Sequence, residues 1–428
     1  MHAESAEGRK EPLRRARSMT MPPESFSMNR RGFARVSALT AIAASTGQAA
    51  AVESTCPAPH SLLTAADDFY DVSRGNPKPH TLSGEALVQA KLTPETWRCD
   101  VVADPFTNEV IKEPAKIAKT LTLDFATIIE MGRTQGVRYL KAMQCLNIAE
   151  PLGQGLWEGV PLRDVLRLCG PMTNVRRVYF WGFHNDDPKQ LFQSSLSYTE
   201  VMEAPPGDFP VFLAYKLNGA PIPLERGGPV RMVIPWAHGF KSIKWLRHIA
   251  VTNDYRANDT YAEKNNDPDS HLKTAAYIDK SANKFPAGQT VFMSGRVISG
   301  RSGLERVEYS LRRVPPNAPL LKDDAPEWRT SRWLPCDLEA SPKDWRTILP
   351  AGVSAKSVLG FDRKTGQPLS WPLPHSMISW SAALKNLPKG HYQFHARAVD
   401  LNGFAQPEPR PIPKAGKNGV ETQRFEIV

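Results

Sequence analysis

Between about residues 65 and 252 the chain alternates short apolar runs with helical spacing. Leu162, Val165, Leu166 and Cys169 fall at i, i+3, i+4 and i+7, one apolar helical stripe that Gly170 stops at its C′ position. A second short helix is predicted over 124–131, entered through Thr122-Leu123-Asp124 with Asp124 as its N-cap. Residues 177–183, 211–215, 230–234 and 245–252 read as strands, and Asn218-Gly219 as a turn. Within 230–234, Val230, Met232 and Ile234 alternate with Arg231 and Val233, which puts Arg231 on the face opposite the other three. Mixed strands and short helices predict an α+β domain.

Past residue 252 the pattern changes. Residues 253–288 are polar and poor in branched apolar side chains, the signature of a long surface connection. From about 289 the period is two. Val307, Tyr309 and Leu311 alternate with Glu308, Ser310 and Arg312. Tyr392, Phe394, Ala396 and Ala398 alternate with Gln393, His395 and Arg397, and Asn402-Gly403 closes a hairpin. Repeated short strands across 289–428 predict an all-β, immunoglobulin-like sandwich.

Composition supports that division. A chain of 428 residues is long enough for two or three cored domains. Its 38 prolines and 28 glycines suit a loop-rich, strand-rich protein rather than a helical bundle. No stretch reaches the roughly 18 apolar residues of a membrane span. The five cysteines are scattered, with no CxxC pair for zinc or an iron–sulfur cluster. The formal net charge is +10, yet no Lys/Arg run is interleaved with aromatics, which argues against a nucleic-acid partner. Part of the excess lies in residues 1–51. There Met28-Asn29-Arg30-Arg31-Gly32-Phe33 precedes a weakly apolar stretch over 36–44 and the small residues Ala49-Ala50-Ala51. This arrangement looks like a twin-arginine export signal and predicts a periplasmic protein.

Three stretches carry candidate chemistry: Arg138-Tyr139-Leu140-Lys141-Ala142-Met143-Gln144-Cys145, the long run from Gly228 to Leu246, and Ala396-Arg397-Ala398-Val399-Asp400. Taken alone, Cys145 reads as a buried core thiol and Arg231 as part of an ordinary strand. In this order and at these distances, with Phe69-Tyr70 to Asn76 and the 213–223 segment, the stretches resemble the sulfite-oxidase family of molybdenum enzymes over residues 65–428. The resemblance implies a molybdopterin-binding catalytic domain over 65–252, a polar connection over 253–288 and a dimerisation domain over 289–428.

The resemblance also implies roles. Cys145 becomes the molybdenum ligand, a soft thiolate suited to a redox metal. The pyranopterin of the molybdenum–molybdopterin cofactor ends in a phosphate, so Arg and Lys are expected around it. Arg231 and Lys244 match the family's cofactor-binding cations, with His238, Lys241 and Ser242 on the loop between them. Arg74 and Asn76 match an early element that touches the pterin. Tyr261 falls where the family's active-site tyrosine lies, with Tyr255 as its competitor. The implied reaction is oxygen-atom transfer, sulfite dehydrogenation first. With no CxxCH and no b5-like haem domain upstream of residue 65, electrons are expected to leave through a separate partner, a c-type cytochrome or a membrane quinone-linked subunit.

Departures leave other readings open. After Cys145 the run is Leu146-Asn147-Ile148-Ala149-Glu150, where sulfite-oxidising members place anion-holding arginines. That change, with Trp236, His238-Gly239-Phe240-Lys241 and the export signal, also fits the sister family of periplasmic methionine-sulfoxide reductases. A cofactor-free exported binding protein on the same two domains is the reading from a different class.

Overall fold

In the first half, the predicted apolar stripes come together as two sheets around one core. The computed structural model describes residues 55–104, 113–146, 148–205, 207–257, 259, 260, 267, 269–407 and 418–428. The export signal predicted within 1–51 lies outside them. In chain order the main elements of the first half are α1 (Gly84–Gln89), β1 (Arg98–Ala103), β2 (Leu121–Asp124), α2 (Phe125–Gln135), β3 (Val137–Met143), β4 (Gly153–Pro161), α3 (Leu162–Arg167), β5 (Arg177–Gly182), β6 (Gln193–Ser197), α4 (Tyr198–Met202), β7 (Phe212–Leu217), β8 (Arg231–Val233) and β9 (Leu246–Thr252).

The first sheet has the order β2-β1-β9-β5-β6, with β1 and β9 parallel and the other neighbours antiparallel. The second runs β7-β4-β3, with β8 also paired to β7, all antiparallel. Between the sheets lie Cys99, Val101, Phe180 and Ile249 against Leu213, Val230, Met232 and Ile234. The stripe Leu162, Val165, Leu166 and Cys169 closes this core, and Gly170 follows at φ +73° as the spacing predicts. Asp124 accepts a hydrogen bond from the Thr127 amide as the predicted N-cap, and the helix runs about one turn beyond residue 131. The reverse face of the second sheet carries Tyr139, Trp157, Phe212 and Val233. Arg231 shares this face, opposite Val230, Met232 and Ile234, as the alternation requires.

The second half is built from β10 (Ala275–Ile278), β11 (Val291–Ile298), β12 (Arg306–Val314), β13 (Met377–Leu384), β14 (Gly390–Val399) and β15 (Glu421–Ile427). One sheet joins β10, β11 and β13; the other joins β15, β14 and β12. Met293, Val297 and Trp380 of the first meet Val307, Phe394 and Phe425 of the second. A short helix, Glu327–Thr330, sits in one of the loops.

Two expectations are corrected here, and one face is better covered than alternation alone requires. The polar connection is shorter than 253–288, because the run Ala275-Ala276-Tyr277 is buried as an edge strand on β11, and Lys284–Phe285 pairs with β15. On the polar face of β14, Gln393 and His395 are fully buried. The excursion between β12 and β13 covers them. Gln393 Nε2 donates to the Ala318 and Pro319 carbonyls, and the Trp328 ring meets His395 edge-on at 4.9 Å. Residues before 65 also belong to the folded body, since Leu62 enters the second core and the His60 amide donates to Ser379 Oγ. The described residues form one compact unit. No helix among the described residues is long and apolar enough to cross a membrane.

Candidate active site

The site begins where β3 ends. Past Met143 the chain leaves the sheet, and the Gln144 carbonyl accepts a 2.7 Å hydrogen bond from the Gly239 amide. A Cβ at Gly239 would stand 3.3 Å from that carbonyl, so a residue without one permits the close approach. The His238 ring reaches the same carbonyl at 3.4 Å, and its amide donates to the Ser270 carbonyl. Together they fix the turn that presents Cys145, a half-buried free thiol, to a cavity.

That cavity spans about 1190 Å³, its open mouth included. Phe69, Phe183, Phe192 and Trp245 supply aromatic walls, while Arg74, Arg226, Arg231 and Lys244 supply positive charge. No carboxylate lines it among the described residues. Arg231 is 6% exposed; it donates to the Arg226 and Ser242 carbonyls and lies over the Trp157 ring at 5.0 Å. Its Nε is buried without a hydrogen-bond partner in the structure. A buried unsatisfied donor among cations, beside an apolar wall, is what an anionic organic group would satisfy.

Burial, and then Arg226, lower the Arg231 pKa to about 9. Burial lowers Lys244 to about 8, Arg231 adding to the effect and Asp71 opposing it. Burial also lowers Arg74, and nearby Cys145 opposes that shift, so the guanidinium and the sulfur are in electrostatic reach. The Arg74 guanidinium lies over the Phe192 ring at 4.8 Å. Gly227, at φ +96°, folds the chain under Lys244, whose Cγ would lie 2.6 Å from a Cβ there.

The predicted residues divide. Cys145, Arg74, Arg231, Ser242 and Lys244 converge on the cavity. Lys241 does not: it is 1% exposed and its ammonium pairs with Asp259 at 2.8 Å, away from the lining. His238 acts behind the Cys145 turn. Asn76 is exposed and exchanges hydrogen bonds with the Gln190 side chain, outside the lining. Tyr261 lies outside the described residues, and Tyr255 is 68% exposed and does not line the cavity. Arg226, which stands where sulfite oxidases often have His, lines the cavity; sequence reasoning passed over Ser73 and His184, which line it too, and Asp71, which holds Lys244. The Asp-x-Ser-Arg order of 71–74 was the available signal for the last, since Asp and Ser so spaced form a side-chain-to-backbone turn.

Residues 90–260 match the family model described as "Oxidoreductase molybdopterin binding domain". The chain is 37% identical over 103 residues to an NADPH nitrate reductase of Fusarium oxysporum, covering 24% of this chain and 11% of that one. It is 28% identical over 183 residues to the mitochondrial sulfite oxidase of Homo sapiens, covering 41% of this chain and 32% of that one. The chain thus spans about a third or less of these relatives. Among solved structures, the sulfane dehydrogenase SoxCD of Paracoccus pantotrophus has the same fold, with a TM-score of 0.53 and 17% identity over 82% of this chain and 86% of that one.

Proposed function

The chain belongs to the sulfite-oxidase family of molybdopterin oxidoreductases, and on that premise we propose that it oxidises a small sulfur-containing substrate of the sulfite type. The substrate gains one oxygen from water, releasing two protons and two electrons. When bound, the molybdenum–molybdopterin cofactor supplies the two-electron redox change and the exchangeable oxygen. Cys145 would hold the metal, and Arg231, Arg226 and Lys244 the anionic end of the pterin. Arg74 puts a positive charge beside Cys145, where it attracts an anionic substrate. The aromatic walls exclude water from the same space. The observation that carries this reading is a free thiol opening into a cavity lined, among the described residues, by four cations and no carboxylate.

In the same proposal the protein is exported by the twin-arginine route, pairs through its second half as a homodimer, and passes electrons to a periplasmic carrier such as a c-type cytochrome. A second reading, reduction of a neutral sulfoxide, is favoured by one observation: Glu150 is exposed, and the segment after Cys145 brings no cation to the cavity.

Metal analysis of the purified protein tests the first step. It is expected to find about one molybdenum per chain. Cys145→Ser is expected to lose the metal while keeping the wild-type melting curve; metal retained by that variant would remove Cys145 from the role. Sulfite-dependent cytochrome c reduction, measured beside methionine-sulfoxide reduction with an artificial donor, separates the two directions.

A further inference from the structure

Lys244 Nζ donates to Asp71 Oδ1 at 3.1 Å, to Ser73 Oγ at 2.6 Å and to the Glu225 carbonyl at 2.8 Å. An ammonium has three N–H groups, so these acceptors use all of them. Lys244 therefore acts on the cavity through its charge. That charge is under pressure, because the side chain is largely buried and two guanidinium groups, Arg226 and Arg231, share its surroundings. Asp71 opposes them from behind the lining. Its own carboxylate is clamped: the Ser73 amide and hydroxyl donate to Oδ1, and Lys78 Nζ lies 3.2 Å from Oδ2.

We propose that Asp71 is a positioning residue for the cavity: its contact keeps the Lys244 ammonium charged and fixed, and so sets the pH above which the cavity's attraction for an anionic group weakens. This rests on the reading of the cavity as an anion-binding site. The charged or titratable groups facing Lys244 are few. Asp71 approaches from the 69–76 segment with Lys78 and His80 beyond it, Glu225 and Arg226 from the turn Leu224–Arg226, and Arg231 from β8. The Glu225 carboxylate is paired with Arg226 at 3.0 Å. Arg74 and His184 line the same cavity.

Asp71→Asn keeps the shape and removes the charge. At about pH 6 Lys244 is protonated with or without Asp71, and the variant cavity is the more positive. Anion affinity there is expected to equal or exceed that of the wild type. On raising the pH, the variant is expected to lose affinity about one unit earlier, the usual result of removing a close opposite charge. At about pH 8.5 it should bind roughly five- to tenfold more weakly than the wild type, as a one-unit shift gives.

Sulfate is the probe, because it stays a dianion across this range. The protein is prepared from cells that make no molybdenum cofactor. Trp245, whose ring lies 5.5 Å from Lys244 Nζ, reports binding by its fluorescence. The proposal expects the two affinity curves to cross, Asp71→Glu to return the profile toward wild type, and Lys244→Met to show no fall of this kind. Parallel curves, with Asp71→Asn weaker at every pH, would make Asp71 merely structural and overturn it. So would an earlier fall caused by Asp71→Asn that persists when Lys244→Met is also present. Absence of sulfate binding at every pH would instead overturn the anion-cavity reading, and this role with it.

Discussion

Lys241 Nζ meets Asp259 Oδ2 and the Ser195 carbonyl, both at 2.8 Å, and Asp259 also accepts from the hydroxyls of Ser194 and Ser195. With both ions 1% exposed, the pair pins the segment after β9 onto β6. Removing one partner of such a pair strands the other charge. Lys241→Met is therefore expected to cost about 3–5 kcal/mol in urea unfolding, and adding Asp259→Leu to restore part of it. Sulfate affinity at the cavity should stay unchanged in Lys241→Met; a fall would return Lys241 to the cofactor site. The sequence places Lys241 and Lys244 alike, as cations on one loop. Their long side chains are directed by partners far along the chain, Asp259 for one and Asp71 for the other, and spacing does not encode those partners.

At the scale of elements, local signals held well. Asp124 caps α2 as its position before the helix implies, and Asp124→Ala is expected to cost about 1 kcal/mol in urea unfolding. The capped carboxyl is held below its usual range by hydrogen bonding from Thr127. That contribution is present above the ordinary carboxylate pKa and fades as the pH falls through the lowered one, so the gap between variant and wild type should narrow in acid. Strand alternation likewise located β12 and β14. It leaves open what covers the polar face of β14, because alternation reports only that two faces differ. Whether the polar face meets water depends on the excursion through Trp328, which returns to cover it from some 70 residues away.

At the scale of the whole molecule, a buried side-chain amide is among the groups that join the halves, beside the Ala142 amide donating to the His375 carbonyl and the Leu359 amide to the Arg138 carbonyl. Gln154 on β4 is 1% exposed; its Nε2 donates to the Leu62 and Met377 carbonyls, and its Oε1 accepts from the Met377 amide. Leu140 and Leu156 of the first half enter the second core beside it. Gln154→Leu would strand three buried backbone groups at about 1–3 kcal/mol each. Calorimetry of this variant is expected to show a lower melting temperature, with unfolding separated into two transitions. A single transition at the wild-type temperature would mean that the apolar contacts and the remaining backbone hydrogen bonds couple the halves without Gln154.

The sequence by itself determined the α+β first half, the strands of the second, the N-cap of α2 and the face of Arg231. Each follows from neighbours a few residues apart and from the fixed periods of helix and strand. Tertiary structure alone decided which of two loop lysines faces the cavity, how early the second half begins, and that Asp71 stands behind Lys244. These depend on contacts between residues 18 to 173 positions apart, where the choice of partner is made by burial and by the need to satisfy each charge once water is excluded.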